Sequence, residues 1–154
     1  MTLWEVDIHP AAGQPDLLGR AVISEASDLG LGTFSVQAAR GFLVQGRITA
    51  AQIEQVSREL LADLVVEKAV VGRPGEPGLS NGASAAQLIH VLPKPGVTDP
   101  VAASALAAIR DLRIDAEAVV TLRKFWITGL AEEQVKLLAG NVRVGGGHGA
   151  ILCT

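Results

Sequence analysis

Trp4, Val6 and Ile8 alternate with Glu5, Asp7 and His9. A period of two predicts a half-buried strand over residues 3–9. A second strand is predicted over 87–92, and a Gly/Pro turn follows each, at 10–13 and 93–96. The period then becomes helical. Leu18, Ala21, Val22 and Leu29 share one face of a helix that Gly30 ends in the left-handed conformation. Val101, Ala105, Ile109 and Leu112 share a face of another, with Asp99 as N-cap and Pro100 at the first helical position, where a missing N–H costs nothing. Strand regions are predicted over 33–45 and 116–128, and Gly41 predicts a bend or bulge midway in the first. Thr49-Ala50-Ala51-Gln52 is a capping box. It opens a helix whose apolar stripe is Ile53, Val56, Leu60 and Leu61, and residues 65–71 read as a closing strand.

These elements are one module written twice. An offset of 83 residues matches Gly13 with Gly96, Asp16 with Asp99, Leu29 with Leu112, Val36 with Val119, Arg40 with Arg123, Phe42 with Phe125 and Gly46 with Gly129. Leu60-Leu61-Ala62 matches Leu137-Leu138-Ala139 at an offset of 77, which predicts a second copy six residues shorter before its last helix. The fold class expected is α+β, with two β-α-β-β-α-β repeats packed as a pseudo-dimer. Repeat one covers 1–72 and repeat two covers 87–140. Between them, 73–86 is a Gly/Pro/Ser linker too polar to bury much apolar surface. Residues 141–154 form a divergent Gly-rich tail without the closing-strand pattern of the first copy. The expectation is that the chain leaves its ancestral sequence near residue 140, by a change of reading frame or by where it was cut; a strand over 150–153 stays open.

Composition narrows the chemistry. Apolar residues are 49% of the 154, but aromatics only 3%, so Val, Leu, Ile and Ala must fill the core. A net charge of −3 argues against nucleic-acid binding, which needs Lys and Arg to displace counterions. No basic segment leads into an apolar run at the N-terminus, and no apolar run nears the roughly 20 residues that span a bilayer. With one cysteine, Cys153, the expectation is a reduced, cytoplasmic protein. His9, His90 and His148 lack zinc-site spacing, and the first two read as strand-surface histidines. Gly145-Gly146-Gly147-His148-Gly149 lacks the Lys-Ser/Thr of a phosphate loop. Glu132 and Glu133 read as first-turn acids that favour the helix dipole. No catalytic, cofactor-binding or metal-ligating set emerges. Arg40, Lys94, Arg123 and Lys124 are candidate contacts to a partner or a phosphorylated substrate, against the plainer reading of solvated strand-edge charge. Gly13, Asp16, Gly96 and Asp99 read as structural turn residues.

Val91-Leu92-Pro93-Lys94-Pro95-Gly96-Val97-Thr98-Asp99-Pro100 resembles the opening of PurS proteins, in which a first strand runs into a Leu-Lys-Pro-Gly-Val-x-Asp-Pro turn and helix. Leu60-Leu61-Ala62-Asp63-Leu64-Val65-Val66-Glu67 is similar to their Leu-Leu-Ala-Asp/Asn segment before a Val-Ile-Glu strand. The tandem arrangement resembles the N-terminal region of fused PurL-type phosphoribosylformylglycinamidine synthases. The likeness spans residues 3–140 and is degenerate at Pro10-Ala11-Ala12-Gly13. It implies ferredoxin-like-related repeats and a non-catalytic assembly module of de novo purine biosynthesis. The partners implied are the synthetase domains and the glutaminase subunit of an ATP-dependent amidoligase; no nucleic acid or membrane is implied, and a homo-oligomer is open. ATP and magnesium belong to synthetase domains that this chain lacks, so no cofactor is implied here. Lys94, Gly96 and Asp99 match the PurS turn. The alternative class is an ACT-like domain that senses a small molecule such as an amino acid.

Overall fold

The computed structural model describes residues 1–80, 86–94 and 96–141, together with the backbone of 149–153. The elements run β1 (Thr2–Pro10), α1 (Leu17–Glu25), β2 (Ser35–Arg47), α2 (Ala50–Val56), β3 (Glu67–Gly72), β4 (Gln87–Pro93), α3 (Pro100–Asp111), β5 (Asp115–Thr128), α4 (Glu132–Asn141) and β6 (Gly149–Cys153). A 3-10 turn (Ala26–Leu29) extends α1 and ends at Gly30 with φ +66°. A π turn (Ser57–Leu61) extends α2. The fold is α+β: one antiparallel sheet in the order β3-β1-β2-β5-β4-β6, with four α-helices among the described residues.

The strand order is the same in each half, with β2 and β5 paired at the centre. In that central register Arg40 lies directly opposite Arg123, its match at the repeat offset. A pseudo-twofold axis therefore passes between the two arginines. Local hydrogen bonds repeat across it. The Gln14 N–H donates to the Ala11 carbonyl (2.9 Å), and the Val97 N–H to the Lys94 carbonyl (3.1 Å). Gly13 and Gly96 close these turns with φ +81° and +86°, a region that favours glycine. The Trp4 indole donates to the Ile48 carbonyl, and the Gln87 amide to the Leu130 carbonyl, both at 3.0 Å.

All four helices pack on one face of the sheet. Val6, Phe42, Ala38, Phe125 and Ile89 share that face through direct cross-strand pairing. The helices do not stay with their own half. Ala105 and Ile109 of α3 pack with Val6, Phe42, Ile53 and Val56 of the first half. Val22 of α1 packs with Ile89, Phe125, Val135 and Leu138 of the second. Each half's core is closed by the other half's first helix.

Several expectations need correction. Each half has three strands rather than four, because β2 and β5 run unbroken. Gly41 stays in register, and the irregularity falls instead at Gln45/Gly46, where a Cβ on Gly46 would overlap the Asp115 carbonyl. The last helices match at an offset of 82, not 77. The Thr49 and Ala131 N–H groups both donate to the side-chain oxygen of a glutamine three residues on, Gln52 and Gln134, and Ile53 and Val56 then correspond to buried Val135 and Leu138. Capping hydrogen bonds fix where a helix starts, whereas Leu-Leu-Ala fits any buried turn. Val101 is 59% exposed, because small residues (Ala102 and Ala105) bring α3 against the sheet. Leu60 and Val65 are likewise exposed, and β3 begins only at Glu67. Segment 73–86, expected to bury little, forms a 3-10 turn (Pro77–Ser80) and buries Leu79; its residues 81–85 lie outside the described residues. The strand left open at the C-terminus forms over Gly149–Cys153 and pairs with β4. His148 and the glycines before it lie outside the described residues.

Candidate functional site

The helix face around the pseudo-twofold axis is built by two equivalent aspartates. Asp16 caps α1, its Oδ1 accepting from the Gly19 N–H (2.9 Å), while Oδ2 accepts from the Ala38 N–H on β2 (2.8 Å). Asp99 caps α3 through the Ala102 N–H (3.0 Å), and its Oδ2 accepts from the N–H (3.3 Å) and hydroxyl (2.6 Å) of Thr121 on β5. Ala38 and Thr121 are themselves related by the repeat offset of 83. One carboxylate in each half thus ties a helix start to a central strand. Burial alone would raise the Asp99 carboxyl, but the hydrogen bonds from Thr121 and Ala102 hold it below its ordinary value. Both aspartates are N-caps whose side chains accept from the first turn of their helix.

Beside Asp99 the helix layer opens into a cleft of about 300 Å³, walled by Phe42, Val91, Val97 and Val101 and flanked by Arg40 and Arg123. Like charges directly opposite on neighbouring strands repel. Arg40 escapes this through a two-point ion pair with Glu67 (Nε to Oε2 3.0 Å, Nη2 to Oε1 2.7 Å) and a further bond from Nη2 to the Leu61 carbonyl. Hydrogen bonding to Arg40 holds the Glu67 carboxyl below its ordinary value. Arg123 has no ion-pair partner among the described residues. Lys94 is exposed where β4 ends. The structure therefore brings Arg40 and Arg123 together at the cleft, and leaves Lys94 in solvent.

Lys124 is corrected from a surface contact to a core residue. It points to the helix-free face, its side chain 2% exposed, and its Nζ donates to Glu5 Oε1 (2.8 Å), Asp7 Oδ2 (2.6 Å) and the Leu79 carbonyl (3.0 Å). Glu5 and Asp7 sit two strands away on β1, about 10 Å across the sheet. The path is clear because β2 presents only Ala39 and Gly41 there. Gly41 occupies the position that matches Lys124 in the repeat. A Cβ at Gly41 would lie 3.0 Å from the Val6 carbonyl and 3.2 Å from Asp7 Oδ1. Gly41→Val is therefore expected to destabilise the fold by about 1–3 kcal/mol through overcrowding, read as a lower urea midpoint; an unchanged midpoint would show that the strand yields at no cost.

His9 is also corrected from a surface position. It is 7% exposed and stacks on Trp126 with ring centroids 5.4 Å apart, while the Lys124 ammonium lies 5.0 Å from the same Trp126 ring. β1 is thus buried on both faces rather than half-buried. Glu5-x-Asp7 in a buried strand was the one sequence signal that could have revealed this cluster.

Burial raises Asp7 to about 7, against the pull of Lys124, with Glu5 raising it further. Its Oδ1 has no hydrogen-bond partner among the described residues. Burial lowers His9 to about 4, helped by Lys68 and Lys124. Burial also lowers His90, with Lys124 adding to the shift. The consequences for stability oppose each other. Between its ordinary 3.8 and about 7, Asp7 binds a proton in the folded chain but not in the unfolded one, so stability falls as pH rises. Between about 4 and its ordinary 6.5, His9 binds a proton only when unfolded, so stability falls as pH drops. Across that shared window, His9→Gln should expose the falling limb and Asp7→Asn the rising one in urea unfolding. Parallel pH profiles for the two variants would contradict the buried arrangement.

No protein-family model matches the chain, and no curated protein matches it. The fold and site define an α+β chain whose two halves share a single antiparallel sheet and exchange their first helices. Among the described residues, no helix is long and apolar enough to cross a membrane.

Proposed function

We propose that this chain is an assembly module of phosphoribosylformylglycinamidine synthase, a PurS-like tandem pair that docks on the synthetase and glutaminase parts of that enzyme. The observation that carries this reading is the matched turn-and-anchor in the two halves. Gly13 with Asp16 and Gly96 with Asp99 make the same turn, the same helix cap and the same tie to a central strand. Exposure of Lys94 and of Val97 (42%), both within the PurS-like motif, supports a contact role for it. On this reading ATP and magnesium act in the synthetase domains, and the chain itself lends them a scaffold.

The test is reconstitution. The purified chain is mixed with the synthetase and glutaminase subunits of a three-component synthase from which PurS is withheld. Co-elution of all three, with recovery of glutamine-dependent amidine formation, is the expected result. Neither co-elution nor recovery would end the proposal. An amino-acid sensor would behave differently, showing thermal stabilisation by an amino acid without any complex.

A further inference from the structure

The two arginines at the pseudo-twofold axis have unequal partners. In the first half Glu67 opens β3 opposite Pro10 and accepts two hydrogen bonds from the Arg40 guanidinium. In the second half the strand that opens opposite Pro93 is β6, and the residue there is Gly149. Pro10 and Pro93 are related by the same repeat offset as Arg40 and Arg123. Gly149 therefore stands where the repeat calls for the carboxylate, and it supplies none. Arg123 faces Arg40 directly and has no ion-pair partner among the described residues. The cleft of about 300 Å³ opens at this position.

We propose that the cleft at Arg123 binds a small organic carboxylate, whose oxygens take on Arg123 the place that Glu67 takes on Arg40, and whose apolar body lies against Phe42, Val91, Val97 and Val101. Three considerations favour this ligand. A guanidinium fork matches a carboxylate in two parallel hydrogen bonds, as the Arg40–Glu67 pair shows within the same fold. A bound anion would give Arg123 the counter-charge that Glu67 already gives Arg40. The cleft's volume lies at the small end of ligand sites, and its walls are mostly apolar. The site needs only residues of this chain.

The test titrates the full chain with 3-methylbutanoate and, separately, with inorganic phosphate. Arginine side-chain NMR and the thermal midpoint are the two readouts. A saturable shift of the Arg123 Nε–H resonance with 3-methylbutanoate, and a raised midpoint, are expected. Arg123→Gln should weaken that binding by about tenfold or more, since one charged two-point contact is lost. Val97→Glu, at an exposed position on the rim, should weaken it as well by setting a rival carboxylate beside Arg123, and it leaves the core untouched. Absence of a saturable shift with either anion would overturn the site. So would unchanged binding in both variants. Tighter binding of phosphate than of 3-methylbutanoate would overturn the assignment to a carboxylate.

Discussion

Lys124→Met is expected to destabilise the chain by about 3–5 kcal/mol at pH 8, as removal of one partner from a buried ion pair does. Lys124 is the cation that Glu5 and Asp7 both contact, and the three side chains are 2%, 6% and 0% exposed. Without it, two carboxylates remain facing each other inside the protein. Methionine has a similar length and leaves little void, so the cost comes from the stranded charge rather than from lost packing. The loss should shrink near pH 5, because burial already favours the protonated form of Asp7 up to about 7. Urea unfolding at the two pH values measures both quantities. A loss below about 1 kcal/mol at pH 8 is the range of an exposed pair and would show that water reaches the cluster. Replacing all three charged residues with apolar ones should recover most of the stability, since a buried ion pair contributes little over a well-packed apolar core.

Phe42→Ala and Phe125→Ala should each cost about 3–5 kcal/mol, the range for emptying an aromatic site in a core. The two phenylalanines are repeat equivalents, buried at 4% and 2%, one in each of the two clusters. The more telling result is the shape of the transition. Because α3 closes the first half's core and α1 the second's, neither half can lose its packing alone. Each variant should therefore shift one cooperative transition rather than split it, with fluorescence and far-UV circular dichroism giving the same midpoint. Two separated transitions would mean that the halves fold independently. By the same reasoning, residues 1–72 expressed alone should fail to fold cooperatively, since they lack the helix that covers Val6, Phe42 and Ile53.

The parts of the fold legible in the sequence were those decided within a few residues. The alternation over 3–9 marks β1, Asp99-Pro100 starts α3, Thr49 and Gln52 form a reciprocal cap, and Gly30 ends the first helical segment. Each rests on a backbone group or a dihedral that local chemistry must satisfy. The reading failed where a side chain's surroundings come from distant chain. Arg123 and Lys124 are neighbours with the same charge, yet one lines a cleft and the other is buried on the opposite face. A strand sends successive side chains to opposite faces, so the pattern separates them but does not say what covers each face.

The amino-acid sequence by itself therefore marked most helix starts and turns, and the offset of 83 residues that pairs Gly13, Asp16, Arg40 and Phe42 with Gly96, Asp99, Arg123 and Phe125. Only the tertiary structure decided which helix serves which half, that the Leu79 carbonyl accepts from buried Lys124, and that Arg40 has a carboxylate partner where Arg123 has an open cleft. The physical reason is range. Caps, turns and periodicity are settled over about one turn or one strand pleat, whereas burial and charge pairing depend on groups brought together from up to 119 residues apart, as Glu5 and Lys124 are.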